Sequence, residues 1–446
     1  MRPAVLASNL RGVGPPTNGH GVIIGGGIGG LLAAHALAGR FERVTILERF
    51  RYPLDSNSPA PPARRGVPQS RCIHLLMAAG AAAFDKLMPG WSEELVARGA
   101  GPFDASADAV LRFPAGWLPR TPSGIITYAC SRTLLEKVLR AGLAGISTVH
   151  VREDRKVLGL VSSSRGDRVT GVYVAEQQAA RGTTLLADLV VDASGEGSTL
   201  ARWLSCLPNG ARSRADKTVV ESGMQYVSCW FHMKSEDAPN WRCLSIAPTM
   251  GARLRSAMML RAEEDRWGVV LLAPAGEPLP SDDEAFLDFV AGLGEGELRA
   301  ALARARPVSS ILRYGATSNR MLHYERLTAW PSGLVAIGDS VCTLDPYFGL
   351  GMTAAARGAV LLATYLDRQR GGTISGLEFQ KELATLNAQP WRLATGRDPD
   401  GRLLVQDKAY LGRLFEKATS NPGVAYALLA VQHLLRPAET LSEVAV

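Results

Sequence analysis

The stretch GVIIGGGIGGLLAAHALAG, residues 21–39, is the clearest fold signal in the chain, because closely spaced glycines join a short apolar strand to a helix. The first glycine of such a pattern permits a tight turn, the second lets backbone approach a pyrophosphate, and the third lets helix and strand pack closely. The helix N-terminus offers free N–H groups and a positive dipole end to phosphates. A Rossmann-type nucleotide site is therefore predicted, with a purely structural turn as the alternative. Its predicted cofactor-binding residues are Gly25, Gly27, Ile28, Gly29 and Gly30.

The next predicted strand, VTILER at 44–49, ends in Glu48, near the expected distance of about 20 residues past the glycines. Glu48 can accept hydrogen bonds from both hydroxyls of an adenosine ribose and repels a 2′-phosphate, which favours NAD or FAD; Arg49 beside it is a second candidate. An NAD dehydrogenase would continue with further βα units. This chain continues instead with RYPLDSNSPAPPARRGVPQSR (51–71), which cannot form a helix. A loop in this place suits FAD, because that longer cofactor extends beyond the first βαβ unit.

Composition favours a cytoplasmic enzyme of two domains. The chain has 446 residues, 46% of them hydrophobic, and a net charge of +7 that comes mainly from scattered arginines. Nucleic-acid binders cluster their basic residues, so no nucleic-acid partner is expected. The six cysteines show no CxxC pair, which predicts reduced thiols and no metal site. No signal peptide is expected in residues 1–19, and the apolar segment 424–435 is too short to span a membrane, so it is predicted to be a buried helix.

Three further motifs follow in the chain: VLGLVSSSRGDRVTGVYV (157–174), LLADLVVDASGEGSTLARWL (185–204) and GLVAIGDSVCTLDPYFGLGM (333–352). In this order and spacing they resemble the FAD-dependent monooxygenases of the p-hydroxybenzoate hydroxylase fold, over roughly residues 20–440. The resemblance implies an α/β fold, in which a Rossmann-type FAD-binding domain carries an inserted β-sheet substrate domain and a helical C-terminal region.

The resemblance also assigns roles to residues of the third motif. Asp339 would hydrogen-bond the ribityl chain of the flavin, and its position just past an apolar strand agrees with ligand binding at the carboxyl ends of parallel strands. Its alternative role is a helix N-cap. The helix that follows would direct its first N–H groups at the flavin and stabilise negative charge on its reduced form. The remaining cofactor contacts implied are Val157, Asp192, Gly195, Pro346, Gly349, Gly351 and Met352.

Closer similarity lies in GVPQSRCIHLLMAAGAAAFDKLMPG (66–90) and RMLHYERL (320–327), which look like a bacterial subgroup containing polyene epoxidases of polyether pathways and related tailoring hydroxylases. That likeness places Arg71 near the flavin or its phosphates, and the wider family places Arg132 at the ribityl-pyrophosphate region; surface arginines are the alternative for both. The chain departs from the subgroup at Cys72, where histidine is usual, at Leu350, where a polar residue is usual, and at Glu196, where arginine is frequent. Leu350 predicts an apolar floor to the pocket, and Glu196 raises the question of how the flavin is reduced.

The predicted FAD-binding domain is discontinuous, at 20–80, 126–212 and 315–370. Residues 81–125 and 213–314 form the predicted substrate-binding region, with a helix around 283–303, and 371–446 the helical C-terminal region. Predicted substrate-facing residues are Tyr347, Phe348, Tyr226 and Met258, with Met224, Trp230 and Trp267 as further candidates for the sheet that covers the flavin. Ordinary core packing is the alternative for all of these aromatic and methionine side chains.

The leading functional prediction is an FAD-dependent monooxygenase that uses NAD(P)H and O2 to epoxidise or hydroxylate a small apolar substrate, such as a polyketide- or terpenoid-like intermediate. The substrate could be bound to a carrier protein, and a separate flavin reductase could be a partner. No acid–base pair is evident, and epoxidation needs none. The alternatives are a flavin reductase or oxidase, a flavin-dependent halogenase and a non-redox cyclase that keeps FAD as a scaffold. Halogenation is disfavoured because no lysine precedes Lys86 and no WxWxIP element occurs.

Overall fold

The computed structural model describes residues 18–53, 60–175, 182–208, 215–248, 254–294, 296–315, 317–369, 374–404 and 408–444. Its strands are β1 (Asn18–Ile24), β2 (Phe41–Leu47), β3 (Ile73–Leu76), β4 (Pro102–Asp104), β5 (Ala109–Phe113), β6 (Gly116–Trp117), β7 (Ile126–Ser131), β8 (Val149–Arg152), β9 (Val157–Ser162), β10 (Val169–Val174), β11 (Thr183–Leu186), β12 (Leu189–Asp192), β13 (Lys217–Glu221), β14 (Met224–His232), β15 (Cys243–Ile246), β16 (Ser256–Arg261), β17 (Arg266–Pro274), β18 (Arg306–Pro307), β19 (Leu312–Tyr314), β20 (Ser318–Leu322), β21 (Leu334–Ala336) and β22 (Cys342–Thr343).

The helices are α1 (Ile28–Leu37), α2 (Ala78–Leu87), α3 (Trp91–Ala97), α4 (Arg132–Ala144), α5 (Leu200–Ser205), α6 (Asp283–Ala291), α7 (Gly296–Leu302), α8 (Gly351–Arg368), α9 (Gly376–Thr395), α10 (Lys408–Ala418) and α11 (Pro422–Gln432). Within the ranges described, no helix combines the length and the apolar character that a membrane crossing requires.

A five-stranded parallel sheet, in the order β21-β12-β1-β2-β8, forms the nucleotide-binding part of the fold. The apolar residues of its central strands are fully buried, among them Val22, Ile23, Val190 and Val191, as expected of parallel strands covered on both faces. Ile24 pairs with Asp192, and Asp192 pairs with Ala336, so β1, β12 and β21 end level with one another. The loops that follow these three strands therefore meet at one edge of the sheet, where open α/β sheets bind ligands.

An eight-stranded, largely antiparallel sheet lies over this edge, in the order β18-β14-β17-β16-β15-β5-β6, with β19 also paired to β14. Tyr226 on β14 pairs with Leu272 on β17, which in turn pairs with Ser256 on β16. These three residues therefore lie side by side on one face of the sheet, and all three line the cavity described below. The predicted α/β class, with a nucleotide-binding parallel sheet and a second, β-rich layer, is confirmed.

Two details of the predicted elements are resolved by the structure. The motif at 157–174 forms the antiparallel pair β9–β10, with Gly166 at φ +70° in its turn. The single helix predicted around 283–303 is wrong, because the chain forms α6 and α7 there. Gly292 ends α6, and Gly294 has φ +73°, a left-handed conformation that interrupts a helix. The predicted helical C-terminal region contains α9, α10 and α11, and residues 424–431 lie in the largely buried α11.

Candidate active site

The glycine turn after β1 is built so tightly that its outer glycines cannot be replaced. Gly25 has φ +97°, and a Cβ there would lie 2.6 Å from the carbonyl oxygen of Ala193. A Cβ at Gly30 would lie 1.9 Å from the carbonyl oxygen of Gly25. Both contacts are far below van der Waals distance, so backbone packing alone requires glycine at these two positions.

A cavity of about 250 Å³ lies between the carboxyl edge of the parallel sheet and the overlying sheet. The structure brings ten of the predicted cofactor residues to its walls, and all four predicted substrate residues as well. The cofactor residues are Gly27, Ile28, Gly29, Arg132, Gly195, Asp339, Pro346, Gly349, Gly351 and Met352, and the substrate residues are Tyr226, Met258, Tyr347 and Phe348.

Two helices begin at this cavity without a side-chain cap. Helix α1 has Gly27 at its N-cap, and α8 has Leu350; neither residue bonds a backbone N–H through its side chain. A Cβ at Gly27 would meet only Arg132, at 3.8 Å, and a Cβ at Gly351 would meet no atom within 4 Å. Protein packing therefore does not require these glycines, but close approach of a ligand would. Free N–H groups and two positive helix ends suit the pyrophosphate and the electron-rich ring of FAD.

Asp339 follows β21 and presents its carboxylate to the cavity. Among the described residues, none hydrogen-bonds this carboxylate. The Asp339 side chain is exposed to the cavity, although the surrounding protein shields it from bulk solvent. Burial raises the pKa of Asp339, while the guanidinium of Arg132 acts in the opposite direction. An acid without a protein partner suits a ligand that carries hydroxyl groups, and the ribityl chain of FAD is such a ligand.

A chain of buried charges runs along the cofactor side of the fold. Arg132 donates through Nε to Glu136 at 2.8 Å, and Arg64 donates to the other oxygen of Glu136. Arg64 also donates to Glu48 at 2.9 Å and to the carbonyl oxygen of Gly26 at 3.0 Å. The positive charges of the two arginines are thus balanced by the negative charges of the two glutamates. The sequence interpretation missed Arg64 and Glu136, since a Pro-rich loop and a helix give no signal of this pairing.

In this arrangement the side chain of Glu48 is hydrogen-bonded by groups of the protein itself. Its carboxylate accepts from the amides of Gly26, at 2.8 Å, and Phe50, at 3.0 Å, as well as from Arg64. The side chain therefore holds the glycine turn against the end of β2. A ribose that reached Glu48 would share the carboxylate with these donors.

The other predicted cofactor residues lie away from the cavity walls. Gly25, Gly30 and Val157 are packed in the fold, and Arg49 has an exposed side chain. Asp192 is fully buried, and its carboxylate accepts from Ser194 and Ser198 at the turn after β12. Arg71 is also exposed, while its carbonyl oxygen accepts from the indole N–H of Trp230 at 2.5 Å.

Some predicted wall residues face the core instead. Leu350 is 1% exposed and packs with Met77, Trp391 and Leu434, so the apolar floor expected from it is wrong. Trp230 and Trp267 are fully buried in the overlying sheet, and Met224 is not among the lining residues. Glu196 is exposed and lines the cavity, and its carbonyl oxygen accepts from Arg320.

The cavity also contains polar residues that the sequence interpretation missed. His74 on β3 lines it, and Nδ1 of this imidazole lies 3.0 Å from the carbonyl oxygen of Cys72. Since a carbonyl only accepts, the proton is assigned to Nδ1, which leaves Nε2 as an acceptor. Burial, with a smaller effect of Arg132, lowers the pKa of His74 to about 3, so the ring is neutral at physiological pH. Cys72, which directly precedes β3, also lines the cavity.

Comparison with known proteins gives the family. The sequence model of the tryptophan halogenase family matches residues 119–387. The chain is also 33% identical over 387 residues to Protein Rv3254 of Mycobacterium tuberculosis, covering 84% of this chain and 78% of that protein. The chain belongs to the tryptophan halogenase family. The prediction of a flavin-dependent enzyme of the oxygenase and halogenase class is thereby confirmed. These comparisons do not support the narrower prediction of an epoxidase subgroup.

Solved structures with the same fold include both kinds of enzyme. The flavin-dependent brominase Bmp2 superimposes with a TM-score of 0.63 at 15% identity, covering 93% of each chain. PqsL, a probable FAD-dependent monooxygenase from Pseudomonas aeruginosa, gives 0.61 at 18% identity, over 91% of this chain and 99% of that one. The p-nitrophenol 4-monooxygenase PnpA from Pseudomonas putida gives 0.59 at 18% identity, over 95% and 99%. The fold of this family member is thus shared by flavin-dependent halogenases and FAD-dependent monooxygenases, which supports FAD as its cofactor.

Proposed function

We propose that the protein is an FAD-dependent monooxygenase that transfers oxygen from O2 to an apolar organic substrate by epoxidation or hydroxylation, with NAD(P)H as the source of electrons. FAD, when bound, supplies the activation of O2. The chain's own residues would hold the cofactor through the N-termini of α1 and α8, Asp339 and Arg132, and would exclude water from the substrate. A polyketide- or terpenoid-like intermediate fits the apolar walls. A carrier protein or a separate flavin reductase is a compatible partner.

The observation that carries this proposal is the chemical character of the cavity beside the α8 N-terminus. Its substrate side is formed largely by aliphatic and thioether groups, including Ile246, Met258, Leu260, Val270 and Leu272. Such walls bind apolar groups and keep water away from a reactive oxygen species. No lysine is among the described residues that line it.

Halogenation is the second candidate, because the family match favours it. A halogenase of this fold needs a lysine to hold hypohalous acid, and the described walls of the cavity offer His74 and Arg132 as their nitrogen-bearing basic side chains instead. Arg132 is already paired with Glu136 at 2.8 Å. Oxygen insertion requires no such amine, so it agrees better with the residues present. A flavin reductase or oxidase and a non-redox cyclase are further hypotheses for the function of this site.

One experiment separates these functions. The FAD-reconstituted protein would be incubated with extracts containing candidate natural-product intermediates, NADPH or NADH, ¹⁸O2 and bromide, with and without an added flavin reductase. A product heavier by one ¹⁸O atom is expected. A brominated product would establish the halogenase, and conversion without any reductant would establish the cyclase. Consumption of NAD(P)H with release of peroxide and no change in any substrate would contradict the monooxygenase.

A further inference from the structure

The imidazole of His74 has one ring nitrogen bonded by the protein and one left for a ligand. Nδ1 lies 3.0 Å from the carbonyl oxygen of Cys72, so the proton sits on Nδ1. In the part of the chain that the structure describes, no group donates to Nε2, and this atom is not enclosed by protein. His74 is partly exposed and lines the cavity. The cavity wall therefore contains an acceptor nitrogen whose donor must come from a bound molecule.

The face of β3 that carries His74 belongs to the nucleotide-binding side of the cavity. Side chains alternate along a strand, so His74 shares its face with Leu76. Leu76 is 2% exposed and belongs to the core that surrounds the parallel sheet. Ile73 lies on the opposite face and packs so closely on β17 of the overlying sheet that a Cβ at Gly268 would lie 2.3 Å from it. His74 is thus directed toward the helix N-termini of the site and away from the aliphatic wall.

The charges around His74 belong to the same part of the cavity. Arg132 reinforces the effect of burial in lowering the pKa of His74, and it opposes the effect of burial on the pKa of Asp339. A Cβ at Gly27, the N-cap of α1, would lie 3.8 Å from Arg132. Arg132 is therefore close to all three residues, and His74 lies in the region that would hold the ribityl chain and pyrophosphate of FAD.

The three side chains of this region differ in what they can bind. The guanidinium of Arg132 only donates, which suits phosphate oxygens, and the carboxylate of Asp339 accepts from hydroxyl groups. Nε2 of a neutral His74 is a second acceptor, so a phosphate oxygen placed against it would meet a lone pair with no proton between the two atoms. A hydroxyl group would complete a hydrogen bond, and the ribityl chain carries several hydroxyls along its length.

We propose that His74 is a cofactor-binding residue, whose Nε2 accepts a hydrogen bond from a ribityl hydroxyl of FAD other than the one bound by Asp339. The carbonyl group of Cys72 acts as the positioning group, because its bond to Nδ1 fixes the tautomer in which Nε2 accepts. The inference deepens the proposed function and rests on it for the identity of the cofactor. The contact itself is independent of which reaction the flavin supports.

Titration of the apoprotein with FAD, followed by quenching of flavin fluorescence, tests the contact without turnover. His74→Leu removes the acceptor and should weaken FAD binding by about tenfold, the effect of one buried hydrogen bond. His74→Gln, whose side-chain carbonyl oxygen can take the place of Nε2 as acceptor, should recover most of the affinity. His150→Leu is the matched control, because it makes the same substitution at an exposed histidine of β8 outside the cavity wall, and its affinity should equal that of wild type.

Analogues of FAD identify the donor and separate a direct contact from a general change of the site. A deoxyribityl analogue that lacks the hydroxyl bonded by His74 should bind to wild type and to His74→Leu with equal affinity. FAD methylated at N3 of the flavin ring should keep the tenfold ratio between the two proteins. A ratio abolished only by N3 methylation would overturn the ribityl assignment, because the ring N–H would then be the donor. A ratio that survives in every analogue would overturn the hydrogen bond altogether.

Equal FAD affinity of wild type and His74→Leu would also overturn the inference. If His74→Leu does not fold, nitrogen-15 NMR of the wild-type protein decides, since the Nε2 resonance of a neutral imidazole shifts when that nitrogen accepts a hydrogen bond. A His74 resonance unchanged by FAD, assigned through its loss in His74→Gln, would refute the contact. Unchanged affinity together with incorporation of labelled oxygen would refute only this inference. Weakened affinity in His74→Leu without oxygen transfer in the wild-type protein would refute only the proposed function.

Discussion

The carboxylate of Glu48 lies 2.9 Å from the guanidinium of Arg64, and both side chains are almost completely buried. Glu48 directly follows β2 of the nucleotide-binding sheet, and Arg64 comes from the loop after it. The pair closes over the glycine turn, because Glu48 accepts from the amide of Gly26 and Arg64 donates to its carbonyl oxygen. An acid predicted to bind ribose is therefore also a structural element of the turn.

The first prediction is that Glu48→Ala destabilises the protein in addition to weakening FAD binding. The substitution leaves Arg64 buried with Glu136 as its remaining acid, and removing one partner of a buried ion pair costs about 3–5 kcal/mol. We expect a loss at the lower end of this range in urea unfolding of the apoprotein. Glu48→Gln, which keeps a carbonyl acceptor for Gly26, should lose less. An unchanged unfolding midpoint in Glu48→Ala would show that the Glu48–Arg64 ion pair contributes nothing to the free energy of unfolding.

The second prediction separates Asp339 from Glu48. Since Asp339 has no hydrogen-bond partner among the described residues, Asp339→Ala should leave apoprotein stability within about 0.5 kcal/mol of wild type. FAD affinity, measured by quenching of flavin fluorescence, should fall by roughly tenfold or more for the loss of hydrogen bonds to a charged group. A helix-capping role would produce the reverse pattern, with lower stability and unchanged affinity.

The third prediction concerns the N-terminus of α8. A Cβ at Gly351 meets no protein atom within 4 Å, so Gly351→Val should fold normally. Its side chain would enter the cavity where backbone N–H groups face the proposed flavin, and the midpoint potential of reconstituted FAD should fall because the reduced form loses support from the helix dipole. Gly412→Val in α10 is the matched control, since a Cβ there also meets no atom within 4 Å. If both variants kept the wild-type midpoint potential, the flavin would not lie at the N-terminus of α8.

The fourth prediction is a loss of stability in mild acid that depends on His433. This residue is 4% exposed, and its Nδ1 accepts from the amide of Ala78 at the start of α2, at 3.1 Å. Burial lowers the pKa of His433 to about 4. Between pH 6.5 and 4 the unfolded chain therefore binds a proton that the folded chain excludes, so stability is present above pH 6.5 and falls as the pH decreases.

The expected loss from His433 alone is roughly 3 kcal/mol over this range, or up to about 1.4 kcal/mol per pH unit. Urea unfolding between pH 7 and pH 4.5 would measure it. The buried His35 and the cavity-lining His74, whose pKa values are lowered to about 4 and about 3, act in the same direction. His433→Asn keeps an acceptor for Ala78 without titrating, so its stability should depend less steeply on pH. Identical slopes in the two proteins would rule out this role of His433.

The local geometry of the nucleotide-binding unit is predictable from the amino-acid sequence alone. Gly25 and Gly30 are required by backbone conformation and by contacts within one strand–helix turn, and such short-range constraints are written directly in the residue types. The position of Asp339 followed in the same way, because a residue just past a buried parallel strand must lie at the carboxyl edge of the sheet. These local rules predicted the nucleotide-binding unit and, in the cavity wall, Gly27, Ile28 and Gly29, whereas the resemblance to flavin monooxygenases supplied the other predicted residues that line the cavity.

Which side chains line that cavity, and which hydrogen-bond one another across the fold, follows from how the sheets pack. Tyr226 and Asp345 are 119 positions apart, on a strand and on a turn whose spacing in the sequence carries no sign of their hydrogen bond. Arg71 is exposed and Leu350 faces the core, although each is adjacent in sequence to a residue that lines the wall. The physical reason is that neighbouring residues point to different sides of a strand or turn. Which of those sides is the cavity depends on how the two sheets pack, and that packing is set by contacts between distant parts of the chain.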